Sequence, residues 1–132
     1  MSNILNALSQ ASGLSLADGG QRTSTPTLTA IDVLDYEGSA LIVLNSGAAT
    51  AGSSPTLNVK IQHSDASGSG FADVSGATFE EVTGSAGTAG IQVMKVNVSN
   101  LKRYLKAVAT VGGTSTPTFA FSIDFIGVKK TT

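Results

Sequence analysis

The chain has 132 residues, of which 41% are hydrophobic and only 13% are charged, and its formal net charge is −1 at pH 7. This length fits one domain with its own core, and the near-neutral charge gives no electrostatic footprint for nucleic acid. The lack of cysteine excludes disulfides, thiolate metal sites and cysteine nucleophiles. No apolar run approaches the ~18–20 residues that span a bilayer. We therefore expect a globular protein without nucleic-acid or membrane partners.

Residues 1–24 are predicted to form an N-terminal arm, followed by a β-domain over residues 25–132. Ile4, Leu5 and Leu8 are spaced as one face of a short helical turn. The small residues that follow support no long element. The N-terminus has neither the basic n-region nor the continuous h-region of a secretory signal, so we expect synthesis in a cytoplasm.

Strand-like runs follow the arm, separated by turn signals roughly every 8–12 residues. The run Ala40–Leu44 is apolar on both faces and predicts a central strand that is covered on both sides. Leu57, Val59 and Ile61 alternate with polar residues and are predicted to face inward. The predicted strands are Thr27–Tyr36, Ser39–Asn45, Thr56–His63, Phe71–Val74, Phe79–Val82, Ile91–Val98, Arg103–Val111 and a last strand through Phe119–Phe125.

The last predicted strand carries the most hydrophobic face of the chain. Phe119, Phe121, Ile123 and Phe125 alternate with smaller or polar residues, so we expect the core to be built on this row. The pair Gly112-Gly113, with a proline soon after it, predicts a hairpin that joins this strand to the one before it.

Together these patterns predict an all-β fold, an antiparallel β-sandwich or barrel. An eight-stranded jelly roll with an extended N-terminal arm is the version that we favour. The sequence does not determine the strand order.

Candidate chemical groups are few and scattered. His63 is the single histidine, and a lone histidine at a strand end is typically structural. The segment Asp65–Gly70 resembles a calcium loop, but Ser67, Ser69 and Gly76 stand where that loop needs acidic or amide ligands. We interpret the segment as a glycine-rich turn and predict no metal site.

The carboxylates do not form an acid/base pair either. Glu80 and Glu81 are neighbours in a strand, so they point to opposite faces, and Asp32 and Asp35 do the same. Asp124 lies on the polar face of the last strand, where it is solvated or paired across an interface. We predict no catalytic residues and no cofactor, and hence a protein that is not an enzyme.

Two stretches resemble the capsid cement or decoration proteins of short-tailed bacteriophages. The first runs from Val59 to Phe79 and contains a strand that ends in Gln-His-Ser-Asp, followed by a Phe-Ala-Asp-Val return. The second runs from Leu101 to Ser122 and contains Arg-Tyr-Leu at the start of a strand. The arm with its glycine-rich exit is also similar to these proteins.

This resemblance implies a jelly-roll protein that forms a homodimer or homotrimer on the outer surface of the capsid. Made in the host cytoplasm, it would become part of the virion and clamp neighbouring subunits of the major capsid protein. The family implies no catalytic residues and no cofactor. The arm would lie along the capsid or a sister subunit, and removal of residues 1–20 is expected to abolish capsid binding while leaving the β-fold intact. The predicted contact residues are Ile4, Leu5, Leu8, Leu14 and Leu16.

Two alternatives remain open at this point. A tail or head–tail connector protein would have the same sequence features. A host-glycan-binding sandwich would need exposed aromatic side chains for stacking on sugars, and the chain has no tryptophan and only two tyrosines.

Overall fold

A computed structural model of the chain describes residues 11–130, which form eight β-strands and two short 3₁₀ helices. All strand pairs are antiparallel, so the predicted all-β, antiparallel, eight-stranded fold is confirmed. Within these residues no helix is long and apolar enough to cross a membrane. The strands are β1 (Ala11–Arg22), β2 (Ile31–Asp32), β3 (Tyr36–Ser46), β4 (Ala51–Ser64), β5 (Ala72–Thr78), β6 (Val82–Thr83), β7 (Gly90–Asn97) and β8 (Tyr104–Lys129), and the 3₁₀ helices are Ala86–Thr88 and Val98–Asn100.

Two sheets share the long strand β8. The second half of β8 pairs with β1 on one side and with β3 on the other, and β7 extends the sheet beyond β3; we call this sheet A. The first half of β8 pairs with β2 and β4, and β4 also pairs with β5 and β6, which completes sheet B. The sheets enclose one core, in keeping with the predicted jelly-roll sandwich.

The predicted C-terminal hairpin is wrong, because the chain bends at that point without reversing. β4 lies beside both halves of β8: Thr56 pairs with Gly112, and Ala51 pairs with Thr118. These pairings occupy the backbone groups that a hairpin would need. The bend is made by left-handed backbone at Gly113 (φ 111°), Ser115 (φ 59°) and Thr116 (φ 55°). Irregularities of this kind let a strand leave one sheet and enter the other.

Backbone packs directly on backbone at this corner. A Cβ atom on Gly113 would lie 2.9 Å from the carbonyl oxygens of both Ser53 and Ser54. A Cβ atom on Gly52, which also has positive φ, would lie 2.6 Å from the Cα atom of Pro117. Only glycine fits at both positions.

The core is built on the predicted row of β8. Phe119, Phe121, Ile123 and Phe125 are all at most 2% exposed, which confirms their predicted role. Burial of each such side chain contributes about 1.5–3 kcal/mol. The edge of the Tyr36 ring packs on Phe125, with the ring centroids 5.1 Å apart. Ile42 and Leu44 lie beside this row in sheet A. Sheet B contributes the predicted Leu57, Val59 and Ile61 to the same core, together with Leu105, Ala107 and Ala109.

Three strand predictions need correction. Of the predicted strand Thr27–Tyr36, only Ile31–Asp32 forms β2, because a turn follows in which the Tyr36 amide donates to the carbonyl of Val33; Tyr36 already begins β3. Of the predicted strand Phe79–Val82, only Val82 lies in a strand, as the first residue of β6. The run Ala40–Leu44 is central within sheet A, as predicted, but residues 11–130 cover it on one face only. Leu41, on the other face, is 39% exposed.

Much of the segment predicted as the arm belongs to sheet A. β1 pairs with β8 from Ala11 opposite Val128 to Arg22 opposite Phe119, with two register irregularities between. Deletion of residues 1–20 would therefore remove most of a strand, so the expectation that the β-fold survives this deletion intact does not fit the structure. The predicted helical turn lies outside the described residues.

An ion pair joins β2 to the start of β8. The Arg103 guanidinium donates from Nη2 to Asp32 Oδ2 at 2.8 Å and from Nε to both carboxylate oxygens at 3.2 Å. Asp32 Oδ1 also accepts from the Leu34 amide at 2.9 Å. The hydrogen bonds from Arg103 and then Leu34 lower the pKa of Asp32 below its ordinary value.

The corner glycine offers a direct test of this architecture. We expect Gly113→Ala to lower the free energy of unfolding by about 1–3 kcal/mol, because alanine is strained at positive φ and its Cβ meets two carbonyl oxygens. Urea unfolding measures this change. Gly47→Ala is the control, because a Cβ atom there has nothing within 4 Å. Equal effects of the two substitutions would contradict the close packing at the corner.

The Asp32–Arg103 pair predicts a pH-dependent difference in stability. Because the folded-state pKa of Asp32 is lowered, its contribution is present above the ordinary value of 3.8 and is lost as the pH falls through the folded-state pKa. Asp32→Asn keeps an acceptor for Leu34 but removes the charge. We expect it to lower Tm by about 1–4 °C at neutral pH, and we expect this difference to shrink as the pH falls below 3.8. Thermal melts across this range measure both, with Glu37→Gln as the control; a difference that persists at low pH would exclude the charge as its cause.

Candidate interaction surfaces

Of the five predicted capsid contacts, the structure describes two. Ile4, Leu5 and Leu8 lie outside the described residues. Leu16 is 2% exposed in the core of the sandwich, and Leu14 is half-buried against that core. In this structure, therefore, Leu16 is not available to another protein. That these five residues contact a capsid stays a prediction.

The far end of β1 is held to β8 by Arg22. Its Nη1 atom donates to the carbonyl of Phe121 at 2.9 Å, and its Nη2 atom donates to the carbonyl of Asp18 at 2.6 Å. The guanidinium carbon lies 4.4 Å from the centre of the Phe121 ring, a cation–π contact. Hydrogen bonds of a charged donor contribute about 1.5–3 kcal/mol, so this side chain fixes the irregular end of the strand. At the other end, the chain enters the sheet at Ala11, beside Val128.

The outer face of sheet A exposes aliphatic side chains on three adjacent strands. Ile91 is 66% exposed, Val93 58%, Ile126 42% and Leu41 39%, and the half-buried Val43 lies between them. We call these five residues the outer patch. Isolated exposed aliphatic residues are normal, but a contiguous group on one sheet face is typical of an interaction site.

Two opposite charges flank the outer patch. Leu41 lies between Ile126 and Lys95, and the next row places Val43 between Asp124 and Val93. Lys95 is thus at the β7 end of one row, while Asp124 is at the β8 end of the other. Within residues 11–130, neither charge takes part in an ion pair.

A groove deepens one end of this face. It has a volume of about 190 Å³ and is lined mostly by apolar atoms, including those of Leu41, Ile126 and Val128. The register of β3 against β8 shifts between Glu37 and Leu41, and this bulge opens the groove. The face therefore offers both a flat apolar centre and a recess.

A larger cleft of about 490 Å³ lies between β5 and β7, the edge strands of the two sheets. His63 reaches it, and its Nδ1 atom accepts a hydrogen bond from the Lys102 amide at 3.2 Å, a contact consistent with the structural role that the sequence predicts. Asp73 is also there, and the hydrogen bonds from Gln62 and then Lys60 lower its pKa below the ordinary value. Residues 11–130 hold no group of three acidic or histidine side chains placed to bind a metal ion.

The other candidate groups also have structural partners. Ser64 Oγ accepts from the Ala66 amide and donates to the Ser69 carbonyl, which closes the predicted glycine-rich turn. The Glu81 carboxylate accepts from the side-chain amide of Asn58 at 2.9 Å. At Glu80 it is the main-chain amide that donates, to the side chain of Gln92 at 2.8 Å.

The aromatic side chains are not presented to solvent. All seven lie in the described part of the chain, and none of them is exposed. Tyr36 is buried in the core. Arg103 covers the half-buried Tyr104 ring at 5.1 Å, and Lys106 covers the half-buried Phe71 ring at 4.4 Å. The chain thus offers no flat aromatic platform.

Sequence reasoning missed the outer patch because it took the apolar run of β3 as evidence for cover on both faces. A second signal was present in β7, where Ile91 and Val93 alternate with Gln92 and Met94. A strand that is apolar on both faces is covered on both faces by its own chain, or it has one face that another chain covers. The pattern alone does not distinguish these cases.

Comparison with known proteins shows similarity of fold but not of sequence. No family model and no curated protein matches the chain. The fold is similar to the crystal structure of the SPBc2 prophage-derived protein YomS, with a TM-score of 0.53 and 12% identity, covering 90% of this chain and 93% of that one. It is also similar to a chain in the structure of infectious bursal disease virus, Gx strain, with a TM-score of 0.50 and 13% identity, covering 92% of this chain and 32% of that one. At such identities, what these proteins share with this chain is the β-fold.

Proposed function

We propose that this chain is a structural protein of a phage virion, a cement or decoration protein that binds the outside of the head. The outer patch is the observation that carries the proposal, because five aliphatic side chains on one face suit a protein that works within an assembly. The fold shared with a prophage-derived protein and with a virus chain supports it, as does the low charge of 13%.

In this proposal the partner is the major capsid protein, and the contact is made by residues 1–10. Ile4, Leu5 and Leu8 supply its apolar side chains. Because β1 begins at Ala11 and is fixed along β8, a pull on this segment is transmitted to the whole sandwich. When the N-terminal segment binds one capsid subunit and the sandwich of the same chain binds the next subunit, the chain acts as a bivalent clamp. The second contact is then effectively intramolecular. Binding to the assembled shell then stabilises it by mass action.

The main alternative is a tail or head–tail connector protein, which would use the same surfaces in a different place. A host-glycan-binding module is disfavoured by the covered or buried aromatic rings. The proposed role includes no catalytic step and no cofactor.

The capsid contact is tested by separating the N-terminal segment from β1. We expect a chain lacking residues 1–10 to keep its melting temperature but to lose binding to heads stripped of this protein, measured by co-sedimentation. The full-length variant Ile4→Ser/Leu5→Ser/Leu8→Ser should behave alike, whereas Ser2→Ala/Asn3→Ala/Asn6→Ala should bind normally. A chain lacking residues 1–20 should melt at a lower temperature, because it also loses Leu16 and Ala17 from the core. Full binding by the chain without residues 1–10 would refute the clamp.

The place in the virion is tested by copy number. Purified virions banded in a density gradient and analysed by quantitative mass spectrometry should contain hundreds of copies, in fixed ratio to the major capsid protein. A ring-sized number, about a dozen, would move the protein to the portal or tail. Absence from the particle would refute the virion role.

A further inference from the structure

We propose that the outer patch binds the same patch of a second copy of this chain, so that two sandwiches pack face to face through sheet A. This inference does not depend on head binding, because it concerns the chain alone. The arrangement is isologous: each copy contributes the same surface, and the two copies are related by a twofold axis.

The first argument is the chemistry of the face. A sheet face in contact with water usually carries polar residues, in alternation with the apolar residues of the core. β3 and β7 instead carry Leu41, Val43, Ile91 and Val93 on their outer side, and all four are contiguous across the β3–β7 pairing. Nothing within residues 11–130 covers this group. Apolar sheet faces are well suited to packing against each other at about 10 Å, as in a sandwich interior.

The second argument is the placement of charge, which favours a second copy over an unrelated partner. One row reads Ile126, Leu41, Lys95 from β8 to β7, and the next reads Asp124, Val43, Val93. The positive charge of Lys95 thus lies at the β7 end of one row, and the negative charge of Asp124 lies at the β8 end of the next row.

Consider a twofold axis that lies in the interface, passes over β3 between Leu41 and Val43 and is perpendicular to the line from Lys95 to Asp124. It sets Lys95 of each copy opposite Asp124 of the other, while the aliphatic centres meet. The face therefore supplies both halves of two equivalent ion pairs, so its charges are complementary to those of a second copy.

The size of the patch sets the expected strength. Strands about 4.8 Å apart and same-face residues about 6.7 Å apart give an area of roughly 15 by 20 Å. This is smaller than the ~800 Å² per partner of a standard stable interface, so we expect a dimer with a dissociation constant in the micromolar range rather than the nanomolar range.

Sedimentation velocity of the full chain over a wide concentration range tests the proposal. We expect conversion from monomer to dimer as the concentration rises, and a dissociation constant at least tenfold higher for Val93→Glu. This residue is 58% exposed, so the substitution should leave the melting temperature nearly unchanged. Leu34→Glu is the matched control, since Leu34 is 50% exposed but lies off sheet A, and it should dimerise normally.

A charge exchange tests the twofold arrangement itself. Lys95→Asp and Asp124→Lys should each weaken dimerisation about tenfold, since each sets like charges opposite one another. The double variant Lys95→Asp/Asp124→Lys should recover most of the loss, because both pairs are restored with reversed sign. A wild-type chain that stays monomeric, a trimer, equal weakening by Leu34→Glu, or no recovery in the double variant would each overturn the proposal. None of these outcomes bears on head binding, which has its own assay.

Discussion

The architecture depends on one strand, β8, which crosses from sheet B to sheet A. Its first half holds β2 and β4, and its second half holds β1 and β3. The transfer is possible because Gly52 and Gly113 let the backbones of β4 and β8 touch. A larger side chain at either position would push the two strands apart, and the two sheets would then lose the partner that they share.

The surfaces of the molecule follow from this arrangement. Because β8 gives each sheet a central strand, β7 and β5 are left as edges, and the cleft between them marks where the sandwich stays open. Sheet A covers the core with one face, and in the described part of the chain its other face exposes the outer patch. The candidate interaction surface is thus a regular sheet face rather than a loop, so its side chains are positioned by hydrogen-bonded backbone. Such a surface is rigid before it meets a partner, which lowers the entropic cost of binding.

The local sequence pattern predicted the features that depend on the alternation of side chains along a strand. It failed for the features that depend on pairing between residues distant in the sequence. The inward row of Phe119, Phe121, Ile123 and Phe125 was predictable because a period of two fixes the face of a strand. The hairpin at Gly112-Gly113 was wrong because glycine permits a bend and a reversal equally well. β1 was missed because its Ser, Gly and Ala residues carry little signal, and its partner lies about a hundred residues away, as in the Arg22–Phe121 contact at a separation of 99. The sequence shows that the residues of the outer patch are hydrophobic but not that they are exposed. No local sequence rule states whether a second layer of structure covers a sheet face.

The position of β8 after the strands that it pairs with has a consequence for biosynthesis. Four earlier strands take their hydrogen bonds from a segment that begins only at Tyr104. As the chain leaves the ribosome, β3 and β4 emerge with their apolar faces but without their central partner. Neither sheet closes until β8 has emerged, so β1 to β4 wait unpaired with their main partner while the following residues are made. With so many pairings between distant residues, folding belongs to the slow class of milliseconds to seconds. In that interval the nascent chain is a natural client for chaperones.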